Sequence, residues 1–186
     1  MTTTLPRVRL LVCGNVDRAD DGAAIWATSH LLPNSTADDL PGIDVRHCGQ
    51  LDVDHLIEGG ADAPTLIVDT AIGIGAGRVI TLTFDELLAK TSTAQPHSSH
   101  ALPIDQVIGV ARELSDGPIE GLFVGIGAAE LGYGRSLSQP VRESMGEFVV
   151  AIQKALMRLT SMNLSRPATK GRGGRRRAAA RVENAG

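Results

Sequence analysis

Hydrophobic positions along this chain fall into short blocks separated by stretches of helical period. The run VRLLVC, around residues 7–13, stops at Gly14 and predicts a buried strand. Residues 20–32 follow with a helical pattern that includes Ile25, Trp26 and Leu32. There Asp20 is a good N-cap and Asp21 suits the first turn. The segment GIDVRHCG, 42–49, alternates Ile43, Val45 and His47 against Asp44, Arg46 and Cys48 and predicts a second strand. LDVDHLIEGG, 51–60, predicts a short helix ending at Gly59. APTLIVDTAIG, 63–73, holds a buried strand over Thr65–Asp69, and GRVITLT, 77–83, another. TFDELLAK gives a helical turn and TAQPHSSHAL a loop. LPIDQVIGVAREL, 102–114, predicts a helix with Pro103 near its first position. IEGLFVGIG, 119–127, predicts the last strand, and residues 138–160 a long helix with Ser138 as N-cap.

Buried strands alternating with helices predict an α/β fold. The expected sheet is open, twisted and mostly parallel, with about five strands and helices on both faces. In such folds, sites lie at the carboxyl ends of the strands. That rule gathers Gly14, Asn15, Asp17, Asp20 and Asp21 after the first strand, and His47 and Cys48 after the second. Asp69 ends the third, His97 and His100 sit in the PHSSH loop, and Gly125 and Gly127 end the last. A carboxylate closing an apolar strand faces the crevice, although Asp69 also fits a turn or cap. An Asp pair at a helix start is explained by capping alone, but only one of the two can be the cap. Carboxylate oxygen and imidazole nitrogen together suit a borderline divalent ion such as nickel, zinc or iron.

Composition narrows the class. The chain has 186 residues, 42% hydrophobic and only 3% aromatic, so a globular core must be built from Ala, Val, Ile and Leu. No apolar run reaches the roughly 18 residues of a membrane span. Two cysteines make no disulfide framework, which fits a reducing, cytoplasmic setting. The net charge of −3 is unevenly spread, because residues 161–186 hold seven basic residues and one acid. The division expected is therefore a folded domain over 1–160 and a basic, disordered tail over 161–186. The acidic body argues against nucleic-acid binding by the domain.

The glycine turns GIGAG and GIGAAELGYG do not open a helix in the G-x-G-x-x-G manner of dinucleotide sites, and Gly77 leads into a strand. Neither a phosphate-binding P-loop nor a G-x-S-x-G elbow occurs in the sequence. Cys13 and Cys48 read as small strand-end residues, with thiol ligation or redox chemistry as the sharper alternative.

Four segments resemble the hydrogenase maturation proteases. LLVCGNVDRADDGAA is similar to that family's opening strand, G-x-G-N and D-[DE]-x-x-G. LIVDTAIGIGAGRV is similar to its third-strand segment, SSHALPIDQVIGVAREL to its His-bearing loop and helix, and LFVGIGAAELGYGRSLSQPVRESM to its closing strand and helix start. The resemblance spans residues 7–160. It implies an endopeptidase that removes a C-terminal extension from the large subunit of a nickel-iron hydrogenase once nickel is inserted. The substrate's nickel would be held by Asp21, Asp69 and His100, with Asp20 as the neighbouring acid. The chain departs from the pattern at Val12, where the family has its first glycine, and at HCGQLD, where it has a Gly-Gly-Thr turn. The altered turn motivates an alternative, a non-proteolytic nickel-site checkpoint or chaperone on the same fold. A nucleotide-binding α/β protein is a further one.

Overall fold

Strand β1 (Val8–Cys13) is buried at all six positions because it has neighbours on both edges and helices on both faces. The computed structural model describes residues 8–31, 42–58, 63–89, 97–98 and 103–164. Within it, β1 pairs in parallel with β2 (Ile43–Cys48) on one side and β3 (Thr65–Ile72) on the other. Parallel β6 (Gly121–Gly127) follows β3, and β4 (Val79–Thr83) closes that edge antiparallel to β6. The order β2-β1-β3-β6-β4 gives the open, mostly parallel five-strand sheet expected from the sequence.

One further strand has no signal in the sequence. The two-residue β5 (His97–Ser98) lies in the segment read as a loop and pairs antiparallel with the end of β3. β1 stops at Cys13, so β3 loses that neighbour beyond Val68. Ala71 and Ile72 then pair with Ser98 and His97.

The period-two alternation of the strands splits the core in two. Val8, Leu10, Val12, Leu66, Val68, Val124 and Ile126 pack under α1 (Ala23–Leu31) and α5 (Gln139–Leu164). Leu11, Cys13, Cys48, Ile67, Ala71 and Phe123 pack with α2 (Val53–Ile57), α3 (Phe84–Ala89) and α4 (Ile104–Leu114). Ala23, Ala24 and Ala27 let α1 approach the sheet closely, consistent with a chain poor in aromatics.

Arg9 is the one charge within β1. It is 2% exposed and donates from Nη1 to the carbonyls of Leu56 (2.8 Å) and His55 (3.3 Å) in the short helix α2. Those carbonyls lack partners within so short a helix, and the guanidinium supplies them. Burial lowers its pKa, with Arg46 adding to the effect and Asp44 and Glu58 opposing it.

The helix expected over 20–32 is two elements. A 3-10 turn covers Ala19–Gly22, and α1 begins only at Ala23. Ala19 has φ +44°, a left-handed conformation that costs a non-glycine residue roughly 1–2 kcal/mol. Its N–H bonds to the Gly134 carbonyl, which helps to hold it there. At the other end of the chain, α5 continues four residues past the expected end at 160. Residues 165–186 lie outside the described residues. Among those described, no helix is long and apolar enough to cross a membrane.

Candidate functional site

The carboxyl ends of β1, β3 and β6 meet through two connecting loops, residues 14–22 and 128–138. Asp20 is the knot between them. Its Oδ2 accepts from the Ala129 N–H (2.8 Å), the Glu130 N–H (2.9 Å) and the Ser138 hydroxyl (2.8 Å), and its Oδ1 from the Ser138 N–H (2.7 Å). Its own carbonyl accepts from the Thr70 hydroxyl at 2.8 Å, tying in β3. The expected N-cap is therefore corrected. Arg18 stands at that position and makes no side-chain cap, while Asp20, wholly buried, clamps the 128–138 loop. The same contact takes the Ser138 hydroxyl, which the sequence assigns to capping α5.

Further bonds hold the two loops together. The Gly134 N–H donates to the Asp17 carbonyl (2.9 Å), and Arg18 Nη2 donates to the Leu131 carbonyl (3.1 Å). Asp17 and Arg135 form an ion pair at 2.8 Å on the open surface, where such pairs contribute little.

Asp21 and Asp69 are the two expected donors within the described residues. They are 2% and 0% exposed. Asp69 Oδ1 accepts from the Thr70 N–H at 2.7 Å. Val12 pairs with Val68, so Cys13 stands beside Asp69, and Gly14 packs on the Asp21 carbonyl. The charges of both acids are among the causes that raise the Cys13 pKa. The hydrogen bond with Cys48 is the largest cause, burial the next, and the Asp69 charge follows. The Cys13 thiol is thus held protonated at neutral pH. Gly14 makes the approach of Asp21 possible. At φ +116° it sits so close that a Cβ would overlap the Asp21 carbonyl oxygen.

His100, the third expected donor, falls outside the described residues. The backbone of β5 is described, and at Ser98 it is running back along β3 towards Asp69. His47 is exposed at the end of β2. Among the described residues, no group of three or more His, Cys, Asp or Glu side chains is arranged to hold a metal ion.

Two features escape a reading of the sequence. Nothing local marks Asp20 as a clamp, since its partners lie about 110 residues away. The meeting of Cys13 and Cys48, with sulfurs 3.4 Å apart, does have a signal. Each is followed by glycine and ends a predicted strand.

No protein-family model and no curated protein sequence matches the chain. Solved structures do, and they define the class of fold as that of the hydrogenase maturation proteases. One is the NiFe hydrogenase maturation protease HybD from Thermococcus kodakarensis, 24% identical, with TM-score 0.62 over 80% of this chain and 99% of that one. Another is the hydrogenase maturating endopeptidase HybD from E. coli, 19% identical, with TM-score 0.63 over 82% and 93%. A third is the maturation protease HycI from Thermococcus kodakarensis, 20% identical, with TM-score 0.57 over 82% and 93%. The shared fold agrees with the resemblance carried by the four sequence segments.

Proposed function

We propose that this chain is an endopeptidase that removes the C-terminal extension of a nickel-iron hydrogenase large-subunit precursor after nickel insertion. The observation that carries the reading is the pair Asp21 and Asp69. They are buried near one thiol, at the carboxyl ends of adjacent parallel strands, in a fold shared with hydrogenase maturation proteases. Two carboxylates gathered at one place favour a cation between them. Asp20 is fully engaged by its loop and is not the ligand. The proposed donors to the substrate's nickel are Asp21, Asp69 and His100, an oxygen and imidazole set suited to a borderline divalent ion. The nickel belongs to the precursor and is part of what is recognised. Its binding would place the scissile peptide against the two carboxylates, which are the bases at hand for proton transfer. Cys13 and Cys48 are not joined by a disulfide, which fits a cytoplasmic setting for this work.

The test is a mass spectrum of a candidate large-subunit precursor, nickel-loaded or nickel-free, after incubation with the protein. A defined C-terminal loss in the loaded sample alone is the expected result. Binding of the loaded precursor with no loss would reject proteolysis and favour the checkpoint reading.

A further inference from the structure

We propose that Cys13 and Cys48 are a reversible modification site, a dithiol that closes to an intramolecular disulfide and joins the carboxyl ends of β1 and β2. The two residues stand directly opposite in the parallel register, each the last residue of its strand. Both belong to the same side of the sheet and are buried, with sulfurs 3.4 Å apart. A disulfide needs about 2.0 Å, so the sulfurs must close by a little over 1 Å. β2 is the strand free to give. Among the described residues it pairs only with β1, at the edge of the sheet, and it is half-exposed over most of its length. Nothing among the described residues lies within 4 Å of where a Gly49 side chain would stand. The tie found there, from the Gly14 N–H to the Gly49 carbonyl at 3.1 Å, joins the same two strand ends that the disulfide would join.

The chemistry balances with a peroxide as oxidant. One thiol attacks the peroxide oxygen, giving a sulfenic acid and one water. The second thiol then attacks that sulfur and expels a second water. Two protons and two electrons leave the thiols, and the peroxide is reduced. A low-molecular-weight disulfide does the same by exchange, leaving as two thiols. The hydrogen bond with Cys48, then burial and the neighbouring acids, keep the Cys13 thiol protonated, so the reaction is slow and paced by opening of the β2 edge.

The consequence falls on the candidate site. Cys13 leads into Gly14, which packs against the Asp21 carbonyl, and the Asn15 N–H bonds to that carbonyl at 3.2 Å. Drawing Cys13 towards β2 pulls on the backbone that holds Asp21. The disulfide itself does not depend on the peptidase reading, and its detection uses no substrate.

The experiment treats the reduced full chain, under native conditions, with hydrogen peroxide or glutathione disulfide and reads the intact mass without reductant. The expected product is a monomer lighter by two hydrogen atoms. It has no thiol left to alkylate after denaturation, is restored by dithiothreitol, and melts at a higher temperature than the reduced protein. Two alkylatable thiols after long exposure, glutathione adducts on single cysteines, cross-linked dimers or sulfinic acid as the main product would each overturn it. Cys48→Ser serves as a control and gives no two-hydrogen loss; if that variant does not fold, the native chain alone still decides.

Discussion

At the scale of single residues, three neighbouring aspartates have three different fates. Asp17 is on the surface, Asp20 is a buried clamp, and Asp21 is buried near Asp69 and Cys13. Their roles separate by substitution. In Asp20→Asn an amide N–H2 replaces one acceptor oxygen, facing backbone N–H donors or the Ser138 N–H. The expected loss is ~3 kcal/mol in urea unfolding, because a buried charged acceptor is removed and its donors are stranded. In Asp69→Asn the amide oxygen still accepts from the Thr70 N–H. Stability should change by less than about 1 kcal/mol while precursor cleavage is lost. A large loss of stability with cleavage intact would make Asp69 a structural residue. Asp69 was legible because it follows the apolar run LIV, and Asp21 because it follows the glycine that stops the first strand. β3 does not end at Asp69 as expected, however, but continues to Ile72, where β6 and β5 still pair with it. Asp20 was misassigned because hydrogen bonds to Ala129, Glu130 and Ser138 leave no trace in local pattern.

At the scale of elements, the five main strands were legible, β1, β3 and β6 because parallel strands covered on both faces must be apolar throughout, and β2 because its residues alternate. What was not legible was how elements end. The helix expected from residue 20 starts three residues later, because the chain first turns through left-handed Ala19 to reach the 128–138 loop. β5 was invisible because two residues carry no period, and its partner edge exists only once β1 has ended. The bend after β1 rests on Gly14, whose missing side chain leaves room for the Asp21 carbonyl. Gly14→Ala places a methyl group on that oxygen and asks alanine to hold φ +116°. The expected cost is roughly 3 kcal/mol, read by chemical denaturation, with cleavage falling by more than the unfolded fraction explains. Wild-type stability in this variant would show that the bend can form another way.

At the scale of the whole molecule, α5 starts beside the site, just after Ser138, and its last turns lie at the opposite end of the sheet. The last turns of α5 border a cavity of about 550 Å³ that Pro64 and Gly121 also line, at the amino ends of β3 and β6. Asp69, at the carboxyl end of β3, is on the far side. Within this end, Leu159 is 2% exposed and Asn163 7%, so the helix is still packing where the sequence suggested that it stopped. That boundary was hard to read because TSMNL is mostly polar, and only every third or fourth residue meets the sheet. The two candidate end points can be separated by truncation. A chain ending at Leu164 removes the basic segment and no described contact, so its thermal midpoint should match that of the full chain. A chain ending at Thr160 also removes Asn163 and the final turn, and should melt roughly 2–8 °C lower for a loss of about 1–2 kcal/mol. If ending at Leu164 is as damaging as ending at Thr160, residues 165–186 contribute to the fold. If neither truncation lowers the midpoint, the final turn adds nothing to stability, and Asn163 is buried without consequence.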